Sequence, residues 1–206
     1  MLRSYDPCIP TRANVAPSGP EWLHEIKHDG YRIMLRRTGD RVRLITRNGY
    51  NWADRYPWIV QAARALKVRS AMIDGEAVVC GPDGVSDFKR LHSRAHDHAA
   101  FLYAFDLLEL NGEDMRPLPL EQRKSKLARI VEGSGIAFSE HTEGDGPEVF
   151  AAACKMGLEG IVSKRRDMRY IAGRSKAWLK IKNPIAPAML RLDDDEWNWS
   201  KRAAQR

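Results

Sequence analysis

Glu25-Ile26-Lys27-His28-Asp29-Gly30-Tyr31-Arg32 sets one lysine in an apolar, β-prone run, follows it with a turn-forming Asp-Gly and closes on an arginine. A lysine amine is nucleophilic only when neutral, and its ordinary pKa of about 10.4 keeps it protonated at neutral pH. A strand position among apolar neighbours desolvates the ammonium, and nearby cations or a divalent metal disfavour it further, toward ~7–8. The octapeptide therefore reads as a lysine prepared for covalent chemistry. Taken alone it reads equally as a hairpin with Asp29-Gly30 at the turn and Lys27 in solvent, so the rest of the chain has to decide.

Outward from this segment come companions in a fixed order: Thr46-Arg47-Asn48-Gly49, Ile73-Asp74-Gly75-Glu76-Ala77, Tyr103-Ala104-Phe105-Asp106-Leu107-Leu108, Glu159-Gly160-Ile161-Val162-Ser163-Lys164 and Trp178-Leu179-Lys180-Ile181-Lys182. The set resembles the covalent nucleotidyltransferase superfamily, and within it the ATP-dependent DNA ligases. The bacterial end-joining type is similar also in its lead-in, which here reads Pro20-Glu21-Trp22-Leu23-His24-Glu25-Ile26-Lys27. The resemblance covers residues 5–185.

It implies an α+β fold, an ATP-grasp-like nucleotidyltransferase domain with antiparallel sheets flanked by helices and a nucleotide cleft between them. That domain would occupy residues 1–185, with a short tail at 186–206. By the same resemblance Lys27 attacks the ATP α-phosphate and holds AMP. The nucleotide then rests on Glu25, Ile26, Arg32, Arg47, Glu76, Phe105, Lys164, Lys180 and Lys182. Glu76 and Glu159 serve Mg²⁺ or Mn²⁺, because hard cations prefer carboxylate oxygens. By the same resemblance Arg47 touches the DNA 5′-phosphate. Read from the residues themselves, the basic segment of Arg165, Arg166, Arg169, Arg174 and Lys176 around Tyr170 suits DNA backbone contacts with strong salt dependence, or else is a solvated loop.

Read without the resemblance, several of these residues have plainer roles. Phe105 in a strand fits a core position, and Glu159 fits the end of a preceding helix. Glu76 is harder to explain away, since a mid-strand carboxylate beside Val78 and Val79 is expensive without a partner. Lys180 and Lys182, two apart in a strand, share a face, and Trp178 shares it with them. His92, His96 and His98 have no matching metal-ligand pattern.

The chain has 206 residues and a formal net charge of +7, with a pI near 9.4. A basic surface fits a nucleic-acid partner and also fits plain solubility. Cys8, Cys80 and Cys154 are widely spaced, as in a reducing cytoplasm rather than a disulfide framework, and Cys80 is expected to fill a strand. No run approaches the ~20 apolar residues of a membrane span, so a cytoplasmic, nucleoid-associated bacterial protein is expected, without a membrane partner.

The coarse elements follow from periodicity and turn signals. Residues 7–20 are Pro-rich and read as irregular; 22–27, 31–37 and 41–46 read as a meander. Pro57 opens a helix with Trp58, Ile59, Ala62, Ala63 and Leu66 on its apolar face. Strands are expected at 72–80 and 101–107, with a short helix capped by Ser86 or Asp87 between them. A helix over 120–131 carries Leu120, Leu127 and Val131 inward and Arg123, Lys124 and Lys126 on an exposed basic face. A helix at 147–157 and strands at 159–163 and 177–182 complete the series.

Ligases of this family continue into an OB-fold domain, whereas residues 184–206 hold four acidic and four basic side chains with Trp197 and Trp199, too few for a five-stranded barrel. The expected function is a minimal ATP-dependent DNA ligase or its adenylation core, acting on nicked or broken double-stranded DNA, with an OB-fold or end-binding partner protein. Two other readings stay open here: an RNA ligase or capping-type enzyme of the same mechanism, and a non-catalytic module that holds DNA ends.

Overall fold

A computed structural model of the chain describes residues 6–186. The expected tail, with Trp197 and Trp199, lies beyond Ala186 and outside the described residues. Two sheets face each other. The first has the strand order β1 (Cys8–Arg12), β11 (Gly173–Lys182), β10 (Gly160–Arg165), β2 (Trp22–Ile26) and β9 (His141–Thr142). The second runs β4 (Arg41–Thr46), β3 (Tyr31–Thr38), β5 (Ser70–Val78), β6 (Phe101–Leu110) and β7 (Glu113–Asp114), with β8 (Ala137–Phe138) also paired to β6. All neighbours are antiparallel except β1 beside β11 and β8 beside β6.

Helices cover the outer faces. α1 (Pro57–Ala65) and α3 (Leu120–Val131) pack on the second sheet, and α4 (Gly146–Lys155) packs on β10 and β2 of the first. The main core lies between the second sheet and its helices, where Ile33, Leu35, Leu44, Ile59, Ala63, Leu102, Leu107 and Leu127 are buried. Each leucine or isoleucine among them contributes roughly 1.5–3 kcal/mol by leaving water. A smaller apolar layer of Cys8, Met34, Met72, Leu108, Tyr170 and Trp178 joins the two sheets, and a third lies under α4.

Close backbone approach explains two glycines. A Cβ on Gly30 would sit 2.2 Å from Ala77 O, so the turn after Lys27 can press against β5 only as glycine. Gly160 has φ +136° and lies against Ile181 O; both conditions exclude a side chain and fix the direction in which Glu159 enters β10.

The structure corrects several sequence expectations. The Pro-rich lead-in contains β1, an edge strand whose irregularity between Pro10 and Thr11 accommodates a residue with no N–H to donate. Trp58 is 55% exposed, because α1 turns Ile59 and Ala63 inward instead. β5 ends at Val78, and Cys80 pairs only with Ser86 in an isolated bridge. The short helix α2 (Phe88–His92) is capped by Asp87, whose carboxylate accepts from Arg90 N at 3.1 Å. Arg123 and Lys124 are not exposed: both are fully buried and paired with carboxylates. Among the described residues no helix is long and apolar enough to cross a membrane.

Candidate active site

Strand alternation and register assemble one face of the first sheet. Lys27 N donates to Gly160 O, and Gly160 pairs with Lys182, Val162 with both Glu25 and Lys180, and Lys164 with Trp178. Period-2 geometry therefore aims Glu25, Lys27, Val162, Lys164, Trp178, Lys180 and Lys182 at the facing sheet. From that sheet Arg32 and Glu76, directly paired across β3 and β5, and Phe105 of β6 face back. Between them lies a cavity of about 230 Å³, lined also by Ile9, Ile26, His28 and Arg47.

At one end of the cleft the ammonium of Lys27 donates to Glu159 Oε2 at 2.6 Å, and Lys182 Nζ lies 3.5 Å from Glu159 Oε1. The Lys27 side chain is 24% exposed and that of Glu159 only 6%. Burial lowers the pKa of Lys180, as does the charge of Lys182 beside it. Burial lowers Lys182 also, against the opposing pull of Glu159. Glu76 makes no side-chain hydrogen bond or ion pair among the described residues, and burial raises its pKa to about 7 despite Lys27 and Arg32 nearby. A second cavity of about 360 Å³ adjoins the first, sharing Ile26, Lys27 and His28 and reaching Ser86, Lys89 and Glu159. Lys27 thus stands on the partition between two spaces.

The other end of the cleft is apolar and electrostatically locked. Phe105 and Trp178 meet edge to face at 6.0 Å, and Lys164 Nζ sits 4.4 Å from the Phe105 ring and 4.2 Å from that of Trp178. Lys164 is buried and donates to Glu25 Oε2 at 2.7 Å. Lys124 from α3 donates to Glu25 Oε1 at 2.9 Å and to Ser139 O at 2.8 Å. Burial alone would raise the Glu25 carboxyl, but the two lysines outweigh it and hold its pKa below the usual carboxylate value. Burial lowers Lys164.

Arg32 is likewise committed to protein. Its guanidinium donates through Nε and Nη2 to both oxygens of buried Asp74, at 2.8 and 2.6 Å, and through Nη1 to Cys8 O. Tyr170 O–H donates to Asp74 at 2.7 Å and accepts from Cys8 N. This clamp ties β1, β3, β5 and the segment before β11 together below the cleft. His28 stacks on Tyr103 at 3.8 Å, and burial lowers its pKa to about 4, so it is neutral.

The structure thus brings together Glu25, Ile26, Lys27, Arg32, Arg47, Glu76, Phe105, Lys164 and Lys180 around one cavity, with Glu159 and Lys182 beside Lys27. Lys164 lies in the aromatic end with Glu25, away from Lys27's partner Glu159, and Arg32 is anchored through Asp74. The expected DNA-contacting arginines are also engaged: Arg165 pairs with Asp167, and Arg166 with Glu121 and Glu143, while Arg174 and Lys176 are exposed. Sequence reasoning missed Asp74, Lys124 and Tyr170 as supports. Only Asp74 carried a signal, a carboxylate in mid-strand two residues before Glu76.

The chemistry open to this arrangement is phosphoryl transfer: an amine with a carboxylate partner, several cations for phosphate oxygens and an apolar slot for a base. Known proteins agree. A family model for the ATP dependent DNA ligase domain matches residues 11–182. The multifunctional non-homologous end joining protein LigD of Pseudomonas aeruginosa is 38% identical over 192 residues, covering 90% of this chain and 23% of that protein. The end joining DNA repair protein LigD of Mycobacterium tuberculosis is 35% identical over 179 residues, covering 86% of this chain and 24% of that one. The chain therefore spans less than a quarter of either relative. A mycobacterial DNA ligase D complexed with ATP and MES superposes with a TM-score of 0.78 at 32% identity, covering 86% of this chain and 60% of that chain. Chlorella virus DNA ligase-adenylate shares the fold, with a TM-score of 0.63 at 19% identity over 86% of this chain and 68% of that one. With the family model running from the end of β1 through β11, this chain belongs to the ATP-dependent DNA ligase domain family.

Proposed function

We propose that the chain is the adenylation unit of an ATP-dependent DNA ligase, comprising residues 1–185, that joins nicked or broken duplex DNA during repair. The observation that carries this reading is the convergence of Lys27, Glu159 and Lys182 at one end of a cleft whose other end is walled by Phe105, Val162 and Trp178. Nζ of Lys27 bonds to the α-phosphorus of ATP as the bond to the bridging oxygen breaks. Pyrophosphate leaves with the electron pair, and the amine gives up a proton, for which Glu159 is an acceptor within reach. An oxygen of a DNA 5′-phosphate then attacks the AMP phosphorus as its bond to Lys27 Nζ breaks and the amine regains a proton, and attack by the neighbouring 3′-hydroxyl on the activated 5′-phosphorus seals the strand and releases AMP. Each step relocates negative charge around phosphorus, so positioning and cations matter more than acid–base groups.

Lys180 and Lys182 would hold phosphate oxygens, and Phe105 would stack on the base. Glu76, unpartnered and half-buried, and Glu159 fit a hard divalent cation such as Mg²⁺ or Mn²⁺. Among the described residues no three His, Cys, Asp or Glu form a cluster, which fits an ion completed by substrate phosphates and water. When bound, the ion neutralises phosphate charge. In the cell, nucleoid DNA in the cytoplasm would be the substrate, and an OB-fold or end-binding protein is the class of partner that would enclose the nucleotide.

The test is incubation with labelled ATP, and separately GTP, plus Mg²⁺, followed by denaturing electrophoresis and intact mass. AMP on the wild-type protein and none on Lys27→Ala is expected, with DNA binding retained by the variant. Covalent AMP on Lys27→Ala, or none on a folded wild type supplied with pyrophosphatase, would overturn the reading and favour a non-catalytic DNA-end module.

A further inference from the structure

On β4, Val42 and Leu44 point into the helix-side core, while Ile45 packs in the layer between the sheets. Alternation therefore puts Arg41 and Arg43 on the cleft side of the second sheet. On β3, Met34 belongs to the same layer, and Arg36 follows it on that face. The register is Met34 opposite Ile45, Arg36 opposite Arg43 and Thr38 opposite Arg41. Arg41 and Arg43 are exposed, Arg36 is half-buried, and β4 is the edge of its sheet.

Two arginines facing each other across an antiparallel pair have Cβ atoms ~4.5–5.5 Å apart, and like charges there destabilise the sheet. None of Arg36, Arg41 and Arg43 forms an ion pair among the described residues. Glu109 on the same sheet instead accepts from Ser70 Oγ and Gly112 N. Arg116, Arg165 and Arg166, by contrast, each have a carboxylate. Charged edges also discourage edge-to-edge pairing, but that purpose does not require two arginines in register.

We propose that Arg36, Arg41 and Arg43 form a track for the sugar–phosphate backbone of duplex DNA, leading to Arg47 at the mouth of the cleft that holds Lys27. The proposal rests on the DNA ligase reading and adds a contact surface to it. From Arg41 to Arg47 the chain spans roughly 20 Å at ~3.3–3.4 Å per residue. A DNA strand presents a phosphate every ~3.4 Å along the helix axis, so the column suits a polymer rather than a small anion. Guanidinium forks match phosphate oxygens in pairs.

The test compares wild type with Arg36→Gln/Arg41→Gln/Arg43→Gln for binding of a nicked 5′-phosphorylated duplex over a range of salt, with self-adenylation measured alongside. Each lost phosphate contact removes about 0.9 from the slope of log K against log salt, so a slope shallower by ~2–3 is expected. Adenylation should be unchanged. Unchanged slope and affinity in an adenylating variant would overturn the track. An equal loss on duplex RNA bound as tightly as the DNA would assign the face to RNA and overturn it too. If neither protein takes up AMP, the ligase reading fails while the DNA slopes still judge the track. If the triple variant alone loses adenylation, Arg41→Gln/Arg43→Gln, both exposed, carries the test with a slope change of about 2.

Discussion

Lys27 Nζ donates to Glu159 Oε2 at 2.6 Å across 132 residues of sequence, and Lys182 approaches the other oxygen of the same carboxylate. Glu159 therefore fixes where the Lys27 amine stands relative to a second cation. Glu159→Gln keeps the shape but loses the charge that holds both lysines. We expect AMP transfer to Lys27 to slow by about 10²-fold or more, the scale of a misplaced reacting group, while thermal stability stays close to wild type. Single-turnover labelling with ATP measures this, and a rate within about twofold of wild type would rule out the assigned role.

Arg123 and Asp106 form a two-bond pair, at 2.7 and 2.8 Å, with both side chains fully buried. Arg123→Met leaves the carboxylate without that partner in the interior, a change that typically costs roughly 3–5 kcal/mol. At about 2–4 °C per kcal/mol for a chain of this size, Tm should fall by ~10 °C. Arg123→Met/Asp106→Leu removes the stranded charge and should recover most of the loss. Calorimetry of the two variants decides it; a single variant that melts with wild type would mean the carboxylate is not stranded.

These two pairs mark how far the sequence was legible. Lys180 and Lys182 could be placed on one face because a strand has period 2, and the apolar stripe of α3 because a helix has period 3.6. What could not be read was the far partner. Arg123 and Lys124 look like an ordinary solvated helix face until the fold brings up Asp106, 17 residues away, and Glu25, 99 residues away. The same holds for β1, whose prolines suppress any local strand signal and whose pairing strand lies at the opposite end of the domain. Arg32 lines the cavity as a nucleotide contact would, but its anchor Asp74, 42 residues away in sequence, could be supplied only by the pairing of β3 with β5.

Phe105 supplies an aromatic face at the apolar end of the cleft, beside Trp178 and Val162. Phe105→Leu keeps an apolar side chain and removes the ring. Loss of base stacking is worth about 1–3 kcal/mol, so ATP affinity should weaken by roughly 10–100-fold. Equilibrium titration in the Lys27→Ala background reads binding without covalent capture. An unchanged Kd would show that the base rests elsewhere.

Glu76 gives the fold a pH dependence of definite sign. Burial raises its carboxyl from the ordinary 4.5 to about 7, with Lys27 and Arg32 opposing. Between those values the folded protein holds a proton that the unfolded chain has lost, so stability declines as pH rises through the interval. Below it the group is neutral in both states and contributes nothing; above it the penalty of a half-buried, unpartnered carboxylate is complete. Glu76→Gln stays neutral throughout. The variant should therefore match wild type in Tm near pH 4.5 and exceed it increasingly up to and beyond pH 7, and on the proposed reading, in which Glu76 would hold a divalent cation, it should also lose AMP transfer. Parallel Tm against pH curves for the two proteins would refute this if they ran together across the whole range. A Gln variant less stable at pH 8 would mean instead that ionised Glu76 has a stabilising partner in the fold.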